Sequence, residues 1–360
     1  MNTSKPRRNW LRTIFKGLGI FIFLLLVIYL LGPRAPKPTL DPILPTVSTD
    51  LSTLEADIKL AESAVTNLKP DNEARIVWFD PTKKEKTPYS LVYLHGFSAS
   101  QGEGDPMHLE FAQRYGANLY LARIDGHGIE NGNNLLEITP ESLIASAKKA
   151  IAIGKALGEK VILMSCSTGG TYSLYLSGDE PAIAGQILYS PNIDIYDSKT
   201  NLLTKPWGYQ MLKFLTGGVQ HTWDGNDNVK KYWQTTYRIE AIIALKSLIQ
   251  ATMLESTFKK IKSPVFLGYY YKDEENQDKV VSVERMKEMF SQLSTPDDQK
   301  RAIAFPNSGA HVMCSKYFPN DLENLRKETF AFAEEVMGLK EVSLVKEEMP
   351  VVSEVEEAVQ

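Results

Sequence analysis

A serine flanked by small residues follows an apolar run near the middle of the chain. Residues 161–164 are apolar, and Ser165-Cys-Ser167-Thr-Gly169-Gly continues from them. A sharp turn from strand to helix lifts the hydroxyl of its central residue clear of the backbone, and only small residues fit two positions before and after it. Ser165 and Gly169 meet this size rule, although glycine is more usual at the first position. The pattern predicts that Ser167 is a nucleophile; an ordinary Ser-Gly-rich turn is the alternative.

A nucleophilic serine needs a general base, and histidine is the most frequent one. The chain has five histidines, at positions 95, 108, 127, 221 and 311. His311 lies in a loop after the last strand-like stretch, from which it can reach across the carboxyl edge of a parallel sheet. We therefore predict that His311 is the base. The side chains of His95 and His127 are expected to have structural roles in loops.

A carboxylate should orient the base and stabilise its charged form. The acidic loop that follows the strand-like stretch 265–271 offers two aspartates. Asp273 comes directly after the strand, whereas Asp278 is followed by Lys-Val-Val, whose valines can hold the loop against the core. We favour Asp278 and keep Asp273 as the alternative. The other acids of this loop are expected to be solvated.

Backbone N–H groups near the serine are candidates for stabilising an oxyanion. His95-Gly-Phe97 ends an earlier strand-like stretch, and Thr168 follows the serine at the start of a helical pattern. The N–H groups of Phe97 and Thr168 are the predicted donors. Loss of one such donor typically costs about 3–4 kcal/mol of transition-state stabilisation.

These residues need a rigid scaffold, and the rest of the chain predicts one. Strand-like stretches alternate with helical patterns, which indicates a mostly parallel central sheet flanked by helices, an α/β fold. The predicted strands are 75–79, 90–94, 118–122, 160–164, 185–189, 265–271 and 301–305, and the predicted helices are 51–68, 140–157, 283–293 and 320–337. The stretch 193–261 contains no clear strand and predicts a helical insertion rich in Trp and Tyr.

Several segments together resemble a known superfamily. They are His95-Gly-Phe-Ser-Ala-Ser100, Arg123-Ile-Asp-Gly-His-Gly128, Ser165-Cys-Ser-Thr-Gly-Gly170, Asp278-Lys-Val-Val281 and Gly309-Ala-His-Val312. In this order they resemble the α/β-hydrolases, and most closely the small esterases and monoacylglycerol-lipase-like enzymes.

The resemblance implies an α/β-hydrolase fold with a helical cap over 193–261. It also implies hydrolysis of carboxylic esters through an acyl-enzyme on a Ser167, Asp278, His311 triad, without metal or organic cofactor. The chain departs from the family pattern in having Ser165 instead of glycine and in its longer acid loop.

The N-terminal region predicts a membrane anchor. Five basic residues lie between positions 5 and 16, and residues 17–33 carry no charge. This run reaches the short end of the 17–25 residues that span a bilayer, and basic residues before it favour a cytoplasmic N-terminus. The catalytic domain would then be extracytoplasmic, and periplasmic in a Gram-negative bacterium. A cleaved signal peptide is the rival interpretation, although prolines crowd the expected cleavage sites.

The chain therefore divides into a membrane anchor (1–33), a Pro-rich linker (34–50), a hydrolase domain (51–338) and an acidic tail (339–360) that we expect to be flexible. The net charge of −4 gives no indication of a nucleic-acid partner. The expected partners are a small-molecule ester substrate and the membrane. Two alternative functions are compatible with the same fold. The chain could be a catalytically silent, membrane-tethered binding protein, or an acyltransferase that uses the same triad.

Overall fold

A computed structural model describes residues 7–178 and 180–342. The helices are α1 Arg7–Leu30, α2 Leu51–Ser63, α3 Met107–Arg114, α4 Pro140–Leu157, α5 Thr168–Ser177, α6 Gly208–Leu215, α7 Asp227–Tyr232, α8 Ile239–Thr252, α9 Glu255–Phe258, α10 Val283–Gln292 and α11 Leu322–Glu335. The strands are β1 Arg75–Val77, β2 Thr87–Leu94, β3 Asn118–Leu121, β4 Gly158–Cys166, β5 Ile183–Tyr189, β6 Gln220–Thr222, β7 Thr236–Arg238, β8 Val265–Tyr269 and β9 Lys300–Ala304.

The central sheet has seven strands in the order β1-β3-β2-β4-β5-β8-β9. Each of the seven corresponds to a predicted strand. All neighbours are parallel except β1, which pairs antiparallel with β3 at the edge. An antiparallel edge strand on a parallel sheet is a common variation. Since parallel strands end at the same edge, the loops after β2, β4, β5, β8 and β9 meet there.

Both faces of the sheet are buried, which explains the continuous apolar runs in its strands. Leu91, Tyr93 and Met164 face a core formed with α3 and α11. Val92 and Leu163, from the same strands, face the opposite core, formed with α2 and α4. The alternation follows from the two-residue period of a strand. The expected α/β architecture with flanking helices is thus confirmed.

The segment 193–261, which we call the cap, contains the helices α6 to α9, but it also contains two strands. β6 and β7 form a separate antiparallel pair, with Gln220 opposite Arg238. The expectation that this segment has no strand was wrong, because strands of three residues are too short to show a periodic pattern. On α8, the fully buried Lys246 forms an ion pair with Asp194, in the loop after β5, and so joins the cap to the sheet.

The N-terminal segment leads from an apolar helix to the surface of the domain. Residues Trp10–Leu30 of α1 are long and apolar enough to cross a membrane, a test that a signal sequence also passes. The Pro-rich segment that follows is extended and lies on the domain instead of standing away from it. Thr39 N donates to Glu141, Asp41 pairs with Lys148, and Leu44 packs on the core beside α4.

The first residues of the acidic tail, 339–342, pack against the domain. Leu339 is buried, and the Val342 N–H donates to the Arg114 carbonyl. The rest of the tail prediction, from residue 343 onward, lies outside the described residues.

Candidate active site

Ser167 occupies a sharp turn between β4 and α5. Its φ of 53° lies in the left-handed region, which is strained for a residue with a side chain. The turn brings the start of α5 against the end of β2, so that a Cβ on Gly169 would lie 1.8 Å from the Leu94 carbonyl oxygen. Only glycine fits there. The size rule that pointed to this motif therefore has a direct steric cause at Gly169.

His311 and Asp278 meet at the carboxyl edge of the sheet. Nδ1 of His311 lies 2.6 Å from Oδ2 of Asp278, and the aspartate side chain is fully buried. Its other oxygen accepts the N–H groups of Val280 and Val281, so the carboxylate is held on both sides. Burial alone would lower the pKa of His311, but the charge of Asp278 and its hydrogen bond raise it above the usual value. Nε2 of His311 is buried and has no hydrogen-bond partner among the described residues.

Asp273, the alternative acid, has a different role in the structure. Its carboxylate accepts the N–H groups of Glu275 and Asn276 and the Asn276 amide. These bonds close the acidic loop on itself and lower the pKa of Asp273. The structure thus brings Asp278, and not Asp273, to His311.

The expected oxyanion donors lie beside the serine. A Cβ on Gly96 would lie 2.9 Å from the Cβ of Ser167, which shows how closely the loop after β2 approaches the turn. Phe97 and Thr168 line one cavity with Ser167. Within residues 7–178 and 180–342, their backbone N–H groups donate to no acceptor. Unpaired donors next to a serine hydroxyl are the arrangement that binds an oxyanion.

His95 and His127 support the loops, as their sequence contexts suggested. His95 Nδ1 donates to the Gly96 carbonyl, and its Nε2 accepts the Ile124 N–H. His127 Nδ1 donates to the Asp125 carbonyl. Burial lowers the pKa of His127 to about 4 and that of His95 well below its usual value, so both rings are neutral at pH 7.

A cavity of about 580 Å³ contains Ser167 and His311. This volume suits a small organic ligand. The cap forms much of the cavity wall. Its aromatic side chains in this wall are those of Trp223, Trp233 and Tyr237. Other aromatic side chains of the cap do not line this cavity. Tyr232, for example, donates to Asp71 and lies against the ring of Tyr317.

Glu103 is a residue of the site that the sequence did not reveal. It is 1% exposed and lines the cavity, and its Oε2 accepts the Gly96 N–H at 2.7 Å and the Tyr93 hydroxyl at 3.0 Å. Burial raises its pKa to about 7. No local pattern separates it from the solvated acids of other loops, because its burial arises from tertiary contacts.

Asn192 and His221 also line the cavity. The Asn192 N–H donates to the Ser167 carbonyl at 2.8 Å and so braces the turn. The sequence places Asn192 just after the predicted strand 185–189, at the carboxyl edge of the sheet, and this position could have identified it as a site residue. His221 lies on β6, and burial lowers its pKa; its sequence context offered no such signal.

Cys166 and Cys314 are free thiols, and both are fully buried. Both belong to the core that α3 and α11 cover, and burial raises the pKa of Cys166. Cys314 also donates to the Glu103 carbonyl. These thiols form part of the core behind the site.

Comparison with known proteins gives partial sequence matches and extensive structural ones. No family model matches the chain. A thermostable monoacylglycerol lipase from Bacillus sp. strain H-257 is 26% identical over 116 residues, which are 32% of this chain. The match spans only 46% of that lipase, less than half of its length.

Solved structures match most of the domain at low identity. One, from a study of the metagenome-derived lipolytic enzymes LipS and LipT, has a TM-score of 0.57 at 16% identity and covers 74% of this chain and 98% of its own. The monoacylglycerol lipase of Paleococcus ferrophilus scores 0.52 at 19% identity, with 74% and 99% covered. Est1E from Butyrivibrio proteoclasticus, with bound ferulic acid, scores 0.51 at 16% identity, with 74% and 95% covered. Together with the sheet order and the strained turn at Ser167, these matches show that the chain has the α/β-hydrolase fold.

Proposed function

We propose that this protein is a serine hydrolase that cleaves carboxylic esters, with Ser167 as nucleophile, His311 as general base and Asp278 as the acid that orients it. The proposal depends on one observation above all. His311 is bound through Nδ1 to a buried carboxylate, while its Nε2 has no hydrogen-bond partner among the described residues and lies in the cavity that contains the strained Ser167. This is the arrangement by which a neutral imidazole accepts a proton from a serine hydroxyl.

In the first half of the reaction, Oγ of Ser167 attacks the ester carbonyl carbon and its proton passes to Nε2 of His311. The N–H groups of Phe97 and Thr168 stabilise the oxyanion. His311 then gives the proton to the leaving alcohol as the carbon–oxygen bond breaks. In the second half, water attacks the acyl-enzyme, its proton passes to His311, and Ser167 recovers that proton as the acid departs.

The cavity favours an ester with an apolar acyl or aryl group. Its walls include Trp223, Trp233, Ile242 and Leu245 from the cap. Esters of this kind agree with the lipolytic relatives, two of which are named as monoacylglycerol lipases. The reaction as written uses only side chains and backbone of this chain and requires no cofactor.

We also propose that α1 is an uncleaved membrane anchor, with its N-terminus in the cytoplasm and the hydrolase domain on the other side of the membrane. The apolar stretch Trp10–Leu30 supports the span. The basic residues before it support the orientation.

Labelling with a fluorophosphonate probe tests the hydrolase proposal. We expect the full chain to be labelled covalently and the Ser167→Ala variant not to be labelled. Ser165→Ala is the matched control, because Ser165 is buried two residues away, and it should remain labelled. Absence of labelling in folded wild-type protein would contradict the proposal and favour the silent binding protein.

A further inference from the structure

The cap is attached to the end of α1 through one tryptophan. The indole N–H of Trp207 donates to the Ile28 carbonyl at 3.1 Å, and the Trp207 backbone N–H donates to the Pro33 carbonyl at 2.8 Å. A Cβ on Gly32 would lie 2.1 Å from the indole nitrogen, so the ring packs directly on the chain where α1 ends. The cap is therefore located next to the point at which α1 ends.

The helix that begins after Trp207 presents large apolar side chains to solvent. Phe214 is 85% exposed and Leu215 is 71% exposed; in the part of the chain described outside α1, no large apolar side chain is more exposed than Phe214. Leu202, in the preceding turn, is also exposed. We call Leu202, Trp207, Phe214 and Leu215 the cap patch.

The opposite side of α6 faces the domain. Tyr209, near the start of the helix, donates through its hydroxyl to Glu240 of α8. Exposed Phe and Leu side chains next to each other are unfavourable in water, and on a monomer such a patch commonly marks an interaction surface.

Charge around the cap patch suits an anionic surface. Residues 202–216 include Lys205 and Lys213 and no acid. Both lysines are exposed, and neither has an ion-pair partner within residues 7–178 and 180–342. Lysines near the surface of an anionic membrane strengthen binding through their charge.

The length of α1 indicates which surface the cap patch meets. The apolar stretch of 21 residues is about 32 Å long at 1.5 Å per residue, close to the ~30 Å hydrocarbon core. Ile28 lies in its last turn, which is at the membrane interface when α1 spans the bilayer as proposed. Trp207, which contacts it, is then at the depth where tryptophan is enriched in membrane proteins.

We propose that the cap patch inserts into the headgroup region of the leaflet from which α1 emerges, and that the active-site cavity receives its ester from that leaflet. The second part rests on the proposed hydrolase function and names its substrate class, esters dissolved in the bilayer. An apolar helix face of this kind, flanked by lysines, typically lies in the plane of the interface.

The cavity is close to the cap patch along the chain and in space. Thr200 lines the cavity, and Leu202 follows it in the same turn. The Leu202 carbonyl lies 2.7 Å from the position of a Cβ on Gly208, at the start of α6. A single turn therefore joins the cavity wall to the cap patch.

Fluorescence quenching tests the insertion without any need for activity. The full chain carrying Phe214→Cys, labelled with a nitrobenzoxadiazole dye, is reconstituted into phosphatidylcholine–phosphatidylglycerol vesicles. Leu109→Cys is the control, because Leu109 is exposed on α3, on the face of the sheet opposite to α2 and α4. The native cysteines are buried and should not react.

We expect nitroxide-labelled lipids to quench the dye at position 214 and dissolved iodide to quench it at position 109. Quenching of both positions by iodide, and of neither by the lipids, would overturn the insertion.

Kinetics test the delivery of substrate. In the Phe214→Ser, Leu215→Ser double variant, we expect hydrolysis of a long-chain fatty acid ester in the vesicles to fall at least tenfold, and hydrolysis of soluble p-nitrophenyl butyrate to stay at the wild-type rate. Leu109→Ser should change neither rate. Equal vesicle rates for wild type and double variant would overturn the delivery. If Ser167→Ala kept its activity, the hydrolase proposal would fail, whereas the quenching result would still decide the insertion.

Discussion

At the scale of single residues, the proposed chemistry depends on the protonation of His311 and of the carboxyl groups near it. His311 must be neutral at Nε2 to accept a proton. Because the pKa of His311 is raised above the usual histidine value of about 6.5, the ring becomes protonated at a higher pH than an ordinary histidine does. Activity limited by this group should therefore decline on the acid side of neutrality.

The identity of the acid can be tested with two matched variants. In Asp278→Asn, the amide NH₂ would face His311 Nδ1 and favour the tautomer that carries its proton on Nε2, which cannot accept one from Ser167. We expect kcat for p-nitrophenyl butyrate to fall by about 10⁴-fold, as observed for such a change in a serine protease triad. Asp273→Asn, which affects only the acidic loop, should stay within about twofold of wild type, since exposed sites of this kind rarely matter. A large loss in Asp273→Asn alone would reverse the assignment.

Glu103 should make stability depend on pH near neutrality. Its pKa is raised from an ordinary carboxyl value to about 7, so the folded protein holds this proton more tightly than the unfolded chain does. The resulting stabilisation is complete below about pH 4.5 and is lost as the pH rises through about 7. Among the described residues, Tyr93, Cys166, Tyr172 and His311 are titratable groups that interact with its charge.

Thermal unfolding of Glu103→Gln from pH 5 to pH 9 measures this effect. The amide cannot ionise, and its oxygen can still accept from Gly96 and Tyr93. We expect the variant to gain in Tm relative to wild type as the pH rises through 7. The exposed Glu137→Gln is the control and should show no such trend. A difference between Glu103→Gln and wild type that is constant with pH would contradict the assigned pKa.

At the scale of elements, the turn between β4 and α5 depends on contact between backbones. Because a Cβ on Gly169 would overlap the Leu94 carbonyl, α5 can start only where this position has no side chain. The same contact places the end of β2, with the loop that carries Phe97, beside Ser167. The packing of α5 on β2 therefore positions the nucleophile relative to the Phe97 N–H.

Substitution of that glycine should destabilise the whole domain. We expect Gly169→Ala to lower the free energy of unfolding by about 3 kcal/mol or more, since backbone atoms must move to make room. Gly218→Ala is the control, because no atom lies within 4 Å of its Cβ position and its φ is not in the left-handed region. Urea denaturation measures both variants. Equal midpoints for Gly169→Ala and wild type would show that the turn can relax.

At the scale of the whole molecule, α1, the extended segment after it and the cap form one continuous connection to the domain. Thr39, Asp41 and Leu44 hold the segment beside α4. The Pro-rich stretch thus keeps the domain close to the end of α1.

The mass of the chain extracted from membranes tests the anchor. We expect a mass that includes α1, and retention in the membrane fraction after carbonate washing, because a spanning helix is not removed by disrupting peripheral contacts. A mature chain that lacks α1 would show that the segment is a cleaved signal peptide. Ser167→Ala serves as a control in this experiment, since loss of the nucleophile should not alter extraction.

The sequence by itself determined the features that depend on local pattern. All seven strands of the central sheet were predicted, because continuous apolar runs mark strands that are buried on both faces. The helix over 140–157 was predicted from its periodic pattern with its observed bounds. In the structure, Thr139 caps it and Pro140 begins it. Small residues around Ser167 pointed to the turn, because steric fit restricts residue type at fixed offsets.

Only the tertiary structure decided the features that depend on contacts between distant segments. Asp278 rather than Asp273 reaches His311, because the loop after β8 folds so that Asp273 bonds to Asn276 within the loop while Asp278 faces the loop after β9. Glu103 became part of the site through burial behind Gly96, and Trp207 joins the cap to α1 through its contact with Ile28. Such contacts join residues far apart in the chain, and a sequence pattern carries no information about which loops meet. Local sterics are thus encoded residue by residue, whereas the charges and surfaces that surround Ser167 are set by the packing of the whole domain.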